Sequence, residues 1–231
     1  MNLVLLEAGE VAEPLPRADP RAEHLLTVLR RQVGDTFDAG VVDGPRGKAT
    51  VTSIGAAGVA FRFEPGAEPP PLDSLHLLLA LPRPQTARKI LNEAAALGVA
   101  SLRFFPADKG EPGYAASTLW KTAEWRRHLR DGAAQAFDTR LPGVHHAPDL
   151  AAAVAALPAG ARIALDNYEA PGPLAPAAGR RPLVLAFGPE RGWSAAERDL
   201  LRSSGFALAH LGTRVLRTET AVVAAVALAK A

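Results

Sequence analysis

Apolar positions along this chain change their period once, near residue 70. Before that point they fall in short β-like runs at 37–42, 48–54 and 59–63, separated by turns containing Gly and Pro. Such runs predict a small β-barrel. One stretch departs from the pattern: Leu25, Val28 and Leu29 share one face of a helix predicted over 21–31. The segment Glu64-Pro-Gly-Ala-Glu-Pro-Pro-Pro-Leu-Asp73 is too rich in proline for regular structure and reads as a linker.

Beyond the linker, strands and helices alternate. Residues 75–81 form a near-continuous apolar run, as a strand buried on both faces requires. A helix over 85–97 presents Ile90, Leu91, Ala94 and Leu97 on one side and stops at Gly98. A strand at 101–105 precedes a long helix over 117–137, with Trp125, Leu129, Ala133 and Ala136 as its buried stripe. Asp149 can cap a third helix whose Leu150, Val154 and Leu157 face inward. Three more strands are predicted at 162–166, 182–187 and 206–211. Between the last two, Ser194-Ala-Ala-Glu197 has the form of a capping box opening a helix that ends near Gly205. The apolar stretch 221–231 reads as a packed helix. The expected class is α/β, a mostly parallel sheet with helices on both faces.

Composition narrows the chemistry. The chain has no cysteine, which excludes disulfides, zinc-thiolate sites and thiol nucleophiles. A formal charge of +2 with a pI near 9.2 leans towards a polyanionic partner. The N-terminal stretch has no basic segment and meets Glu7 early, and no apolar run reaches membrane length, so a cytoplasmic location without membrane contact is expected. His145-His146 has no partners at ligand spacing and is read as loop, with no metal. The loop after the first strand of the second half, Pro82-Arg-Pro-Gln-Thr86, contains no glycine, which argues against a dinucleotide fingerprint.

In α/β sheets ligands bind beyond the carboxyl ends of the strands. The unusual loops follow the last three predicted strands: Asn167-Tyr-Glu-Ala-Pro-Gly172, Gly188-Pro-Glu-Arg-Gly-Trp-Ser194 and Gly212-Thr-Arg-Val-Leu-Arg-Thr-Glu-Thr-Ala221. The second resembles the GPEGGxS loop of the 16S rRNA uridine-N3 methyltransferases. The third, with Leu211, resembles that family's LGxRILRTETA run almost letter for letter. His24-Leu-Leu-Thr-Val-Leu-Arg30, followed by Val33-Gly34-Asp35, is similar to its HLxxVLRxxxGD segment, so the resemblance covers nearly the whole chain.

The resemblance implies a PUA-like β-barrel RNA-binding domain at 1–68 and a SPOUT-type methyltransferase domain with a C-terminal trefoil knot at 73–231. It also implies a homodimer that uses S-adenosyl-L-methionine to methylate N3 of a uridine in 16S rRNA of the small ribosomal subunit. Its cofactor site maps onto Leu165, Asp166, Asn167, Phe187, Gly188, Pro189, Glu190, Gly192, Leu211, Gly212, Val215, Leu216, Arg217, Thr220 and Ala221. Arg217 and Glu219 are the catalytic candidates, Arg217 orienting the uracil and Glu219 either holding the site together or accepting a proton. RNA contacts are expected from Arg21, His24, Arg30, Arg83, Arg88, Lys89 and Arg140. Methylation at a ring nitrogen needs no covalent nucleophile, which suits a chain without cysteine.

Apart from the resemblance, Gly188, Gly192 and Gly212 could let backbone approach a ligand or could merely turn the chain. Trp193 could be core or a stacking platform. Some positions depart from the family: Arg191 replaces the middle glycine of GPEGG, Ala96 replaces a glutamate, and Ala134-Gln-Ala-Phe-Asp138 stands where EQxGR is usual. These departures leave two alternatives open: a divergent paralogue that methylates another RNA, or a non-catalytic RNA-binding or ribosome-assembly factor whose cofactor pocket Arg191 closes.

Overall fold

The computed structural model describes residues 2–175 and 180–231. It divides into two compact units, Met1–Pro71 with Arg130–Leu141, and Leu72–Leu129 with Pro142–Ala231.

The first unit is a curled five-stranded mixed sheet built from β1 (Val4–Leu6), β2 (Leu15–Pro16), β3 (Thr36–Val41), β4 (Arg46–Ile54) and β5 (Gly58–Pro65), in the order β1-β3-β4-β5-β2. β1 runs parallel to β3 and the remaining pairs are antiparallel. Alternate side chains, among them Leu6, Leu15, Phe37, Ala39, Ala49, Val51 and Val59, fill its core, as period-two strands require. Gly58 joins β4 to β5 at φ +143°, where a Cβ would lie 1.9 Å from the Leu15 carbonyl oxygen, so only glycine fits.

Asp19 caps α1 (Pro20–Glu23), which continues as a π-helical turn over His24–Val28. Leu29 N–H bonds His24 O five residues back. This wider turn shifts the phase of the predicted apolar face. Leu25 is buried, whereas Val28 and Leu29 are 64% and 40% exposed, so the face predicted for a regular helix over 21–31 is corrected. The 130–141 segment packs into this unit: Thr139 Oγ1 donates to Gly44 O at 2.6 Å, and Asp43 N donates to Thr139 O at 2.8 Å.

The second unit is a six-stranded, all-parallel sheet of β6 (Asp73–Ala80), β7 (Val99–Phe105), β8 (Gly143–His146), β9 (Ala161–Leu165), β10 (Leu183–Phe187) and β11 (Ala207–Ala209), ordered β11-β9-β10-β6-β7-β8. All five residues of β10 are buried, because it lies between β9 and β6 with helices covering the sheet. On one face Leu78, Ala80, Val184 and Ala186 pack with Leu150 and Val154 of α5 (Leu150–Ala155) and Leu201 of α6 (Ala195–Ser203). Elsewhere α2 (Pro84–Ala96) lies against α7 (Thr218–Lys230), and α7 also contacts β10. Gly98 stops α2 at φ +67°.

The predicted helix over 117–137 is broken into α3 (Thr118–Lys121) and α4 (Glu124–Gln135). Thr122 adopts an extended backbone, and its Oγ1 accepts from Glu124 N at 3.2 Å, restarting the helix. Leu129 and Ala133 are buried as predicted, but Ala136 lies beyond the helix end and is exposed. His145 and His146, read from the sequence as loop, belong to edge strand β8. Among the described residues no helix is long and apolar enough to cross a membrane, and no group of three or more His, Asp or Glu could hold a metal ion.

Candidate active site

A cleft opens at the carboxyl ends of β9 and β10, where the loops after β9, β10 and β11 converge. It encloses about 700 Å³ of empty space, continuous with solvent. Its walls are Leu165, Asp166, Asn167 and Tyr168 from the first loop, Phe187, Gly188, Pro189, Glu190, Gly192 and Trp193 from the second, and Leu211, Val215, Leu216, Thr218 and Ala221 from the third. Most of the sequence-derived cofactor residues therefore meet in one place. Gly212, Arg217 and Thr220 do not line it, whereas Tyr168 and Thr218 do without having been singled out. Tyr168 and Val215 are 72% and 74% exposed, and both stand in this cleft. Large apolar groups left open in a concave site suit a ligand with an apolar face.

Each wall is held by its own chemistry. The Asp166 carboxylate is buried, accepts from Tyr168 N and Glu169 N at 2.6 and 2.8 Å, and pairs with Arg198 Nε at 2.5 Å. Burial alone would raise this carboxyl, yet the Glu169 and Tyr168 N–H groups and the Arg198 guanidinium outweigh it and hold the group below the ordinary value. Asp166 is thus committed to fixing its own loop.

Trp193 is buried and stacks on Phe105 with centroids 6.2 Å apart and planes 3° from parallel. Its Nε1 donates to Leu165 O at 2.9 Å, joining the second loop to the first. It is core that also forms the cleft floor. Gly188 is glycine because of this ring: a Cβ there would lie 3.0 to 3.3 Å from Trp193 atoms. Gly192 takes φ +70°, closing a turn through its N–H to Pro189 O at 2.8 Å, and Gly212 takes φ +109° with open space around it. The third loop is tied to the first by a short parallel bridge, with His210 N donating to Gly172 O and Leu174 N to His210 O.

Arg191 is exposed and does not line this cleft. The turn that ends at Gly192 carries it to the neighbouring cavity formed with Arg83, Lys109, Gly110, Glu111, Tyr114 and Glu190. The expectation that its side chain closes the cofactor pocket is overturned.

Beside the cleft lies a third, more polar cavity lined by Arg83, Gln85, Thr86, Lys89, Glu190, Arg217, Thr218 and Glu219. Arg217 occupies the cap position of α7 without a side-chain capping bond. Lys89 Nζ donates to Glu219 at 3.0 Å. The Glu219 backbone N–H holds its own carboxyl below the ordinary value, burial opposes this, and Lys89 adds to the lowering. A carboxylate held ionised in an ion pair is a weak base but a good anchor for a lysine.

The other predicted RNA contacts are scattered. Arg88 pairs with Glu124 at 2.6 Å. In the first unit Arg21 donates to Leu5 O, Glu10 and Asp19, all within 2.8 Å except for its Nε bond to Asp19 at 3.0 Å. Arg140 donates to Asp43 O at 3.0 Å. These three hold the structure. His24 borders a cleft with Leu29, Arg31 and Phe37, while Arg30 is exposed at φ +52°.

With its parallel sheet and the cleft formed by the loops after β9, β10 and β11, the chain belongs to the RNA methyltransferase domain family, whose model matches residues 68–230. Ribosomal RNA small subunit methyltransferase E of Treponema pallidum (strain Nichols) is 32% identical over 238 residues, spanning 98% of this chain and 90% of the relative. Ribosomal RNA small subunit methyltransferase E 1 of Borreliella burgdorferi is 28% identical over 235 residues, spanning 97% and 95%. The crystal structure of ribosomal RNA small subunit methyltransferase E from Neisseria gonorrhoeae, bound to S-adenosyl methionine, superposes with a TM-score of 0.74 over 98% of this chain and 95% of that one, at 23% identity. The family resemblance carried by the 211–221 run is borne out.

Proposed function

We propose that this protein is an S-adenosylmethionine-dependent methyltransferase of the small ribosomal subunit RNA, modifying N3 of a uridine. The observation that carries the reading is the juxtaposition of an apolar-walled cleft with a cationic cavity, sharing Glu190 and Thr218 between them. The cleft fits the cofactor: Leu165, Phe187, Leu211, Val215 and Leu216 supply apolar surface for a purine, and the turn at Gly188–Gly192 supplies backbone polar groups. When bound, S-adenosylmethionine supplies an electrophilic methyl group on a positively charged sulfur.

The chain's own residues act on the uracil. N3 is protonated at neutral pH; its proton passes to solvent water, and negative charge develops on the ring as it leaves. Arg217 stabilises that charge, helped by Arg83 and by Lys89, which Glu219 positions. Arg217 is the catalytic residue in this reading and Glu219 a positioning residue. N3 lies on the pairing edge, so the nucleotide must be unpaired or splayed out to enter. Family membership also supports a homodimer acting in the cytoplasm, a PUA-like role for the first unit in RNA binding, and a trefoil knot formed by the loops that line the cleft.

Primer extension on small-subunit RNA tests the reading. A strain lacking the gene should lose one methylation stop, and the native gene should restore it while Arg217→Ala should not. A stop that persists without the gene would overturn the proposal.

A further inference from the structure

In the cavity bounded by Arg83, Lys109, Gly110, Glu111, Tyr114, Glu190 and Arg191, only Arg83 and Glu190 have a part in the reading above. It holds about 450 Å³ of empty space, shares Glu190 with the cofactor cleft, and shares both Glu190 and Arg83 with the cavity assigned to the uracil. The three spaces therefore meet around one carboxylate.

Its cations are arranged for an external partner. Lys109 Nζ is fixed by a bond to Trp193 O at 2.9 Å, which pins the ammonium at the cavity wall. Arg83 Nε donates to Tyr114 Oη at 3.1 Å, which leaves the two terminal nitrogens of the guanidinium for another acceptor. Arg191 stands exposed at the tip of the turn closed by Gly192. Against these three cations the lining sets two carboxylates, Glu111 and Glu190, so the formal excess is a single positive charge. A lining with that balance suits one singly charged anion better than a polyphosphate. Tyr114 adds an aromatic surface, the kind of group on which an unpaired base stacks.

We propose that this cavity binds one phosphodiester of the RNA strand adjoining the methylated nucleotide, with Arg191 and Lys109 as its contacts, Arg83 at the boundary it shares with the uracil cavity, and Tyr114 beside the neighbouring base. The inference rests on the RNA methyltransferase reading and gives Arg191 a role as a substrate-binding residue. The same side chain that departs from the family's glycine thereby extends the RNA-binding surface, while the cofactor cleft stays open.

The test uses the full chain and a fluorescent ten-nucleotide single-stranded RNA with one central uridine, titrated at stepped KCl concentrations. Each phosphate contact on a single strand contributes about 0.7 to the slope of log affinity against log salt. Arg191→Ala should weaken binding several-fold at low salt and reduce the slope by about that amount. Arg191→Lys, which keeps the charge, should retain the slope. Calorimetric titration of S-adenosylmethionine should give the same affinity for native protein and both variants. An unchanged slope in Arg191→Ala, or no binding of the oligonucleotide by the native chain, would overturn the inference. Failure of the underlying reading shows separately, as absent S-adenosylmethionine binding by the native protein.

Discussion

Replacing Arg198 by leucine tests whether the first wall of the cleft is held by a buried ion pair. The Asp166 side chain has no exposure and that of Arg198 only 9%, so neither charge is screened by water. Attraction at 2.5 Å is largely offset by the desolvation of both groups, and exchanging a whole buried pair for apolar residues is often close to neutral. Removing one partner is different, because it strands the other charge, at a cost of about 3–5 kcal/mol. Here the Tyr168 and Glu169 N–H groups still support the orphaned carboxylate, so the loss should fall near the lower end, about 3 kcal/mol.

For a chain of this size that corresponds to a fall in Tm of about 6–12 °C. Asp166 has a lowered folded pKa, so the pair's contribution is present above the unfolded value of about 4 and is lost as pH falls through the folded value. The penalty in Arg198→Leu should accordingly shrink in acid, where Asp166 can take up a proton. Thermal and urea unfolding of the native chain, Arg198→Leu, Asp166→Asn and the double variant completes a cycle. The double variant should be more stable than the sum of the single losses predicts, by at least about 1 kcal/mol. Simple additivity, or a loss in Arg198→Leu below about 0.5 kcal/mol, would refute the argument.

Arg217→Ala should lower kcat by about 10²–10³-fold, the usual effect of removing one donor to a developing anion, with cofactor affinity unchanged because Arg217 does not line the cleft; single-turnover methylation and calorimetry measure the two effects. Gly188→Ala should cost about 1–3 kcal/mol and weaken cofactor binding, since its Cβ would press on the Trp193 ring and move the cleft floor; denaturation combined with calorimetry reads both. In the first unit, the Arg21 hydrogen bonds lower the pKa of Glu10 and of Asp19 despite partial burial. Their stabilisation is present above pH 4–5 and lost as pH falls through the folded values, so Arg21→Met should unfold more readily at neutral pH and show a flatter stability profile below about pH 5.

The strands and helices that carry the strongest patterns were legible in the sequence. The continuous apolar runs of β6 and β10, the Gly98 stop and the Ser194–Glu197 capping box all specify their elements locally. What was not legible depended on partners. β8 is a polar edge strand whose identity comes from pairing with β7, and no apolar alternation marks Gly143–His146. The three-residue β1 is too short to show a period. The break at Thr122 lacks glycine or proline, and the π turn after His24 leaves no compositional trace. At the site, the loop motifs located the cleft, yet two side-chain roles depend on how the loops fold. Trp193 proved to be core because Phe105 lies parallel to it, and Arg191 turned away from the cleft because Gly192 sets the direction of the turn.

The bridge between Pro173 and His210 has a mechanical meaning. The loop after β9 and the end of β11 are far apart along the chain, yet two backbone hydrogen bonds make them a single piece of wall, and Trp193 fastens the second loop to the same piece through Leu165. Among the described residues, these bonds link all three walls of the cleft to one another. Tyr168 and Val215, the most exposed apolar side chains of its lining, then present their surfaces to a ligand on walls that are joined through the backbone.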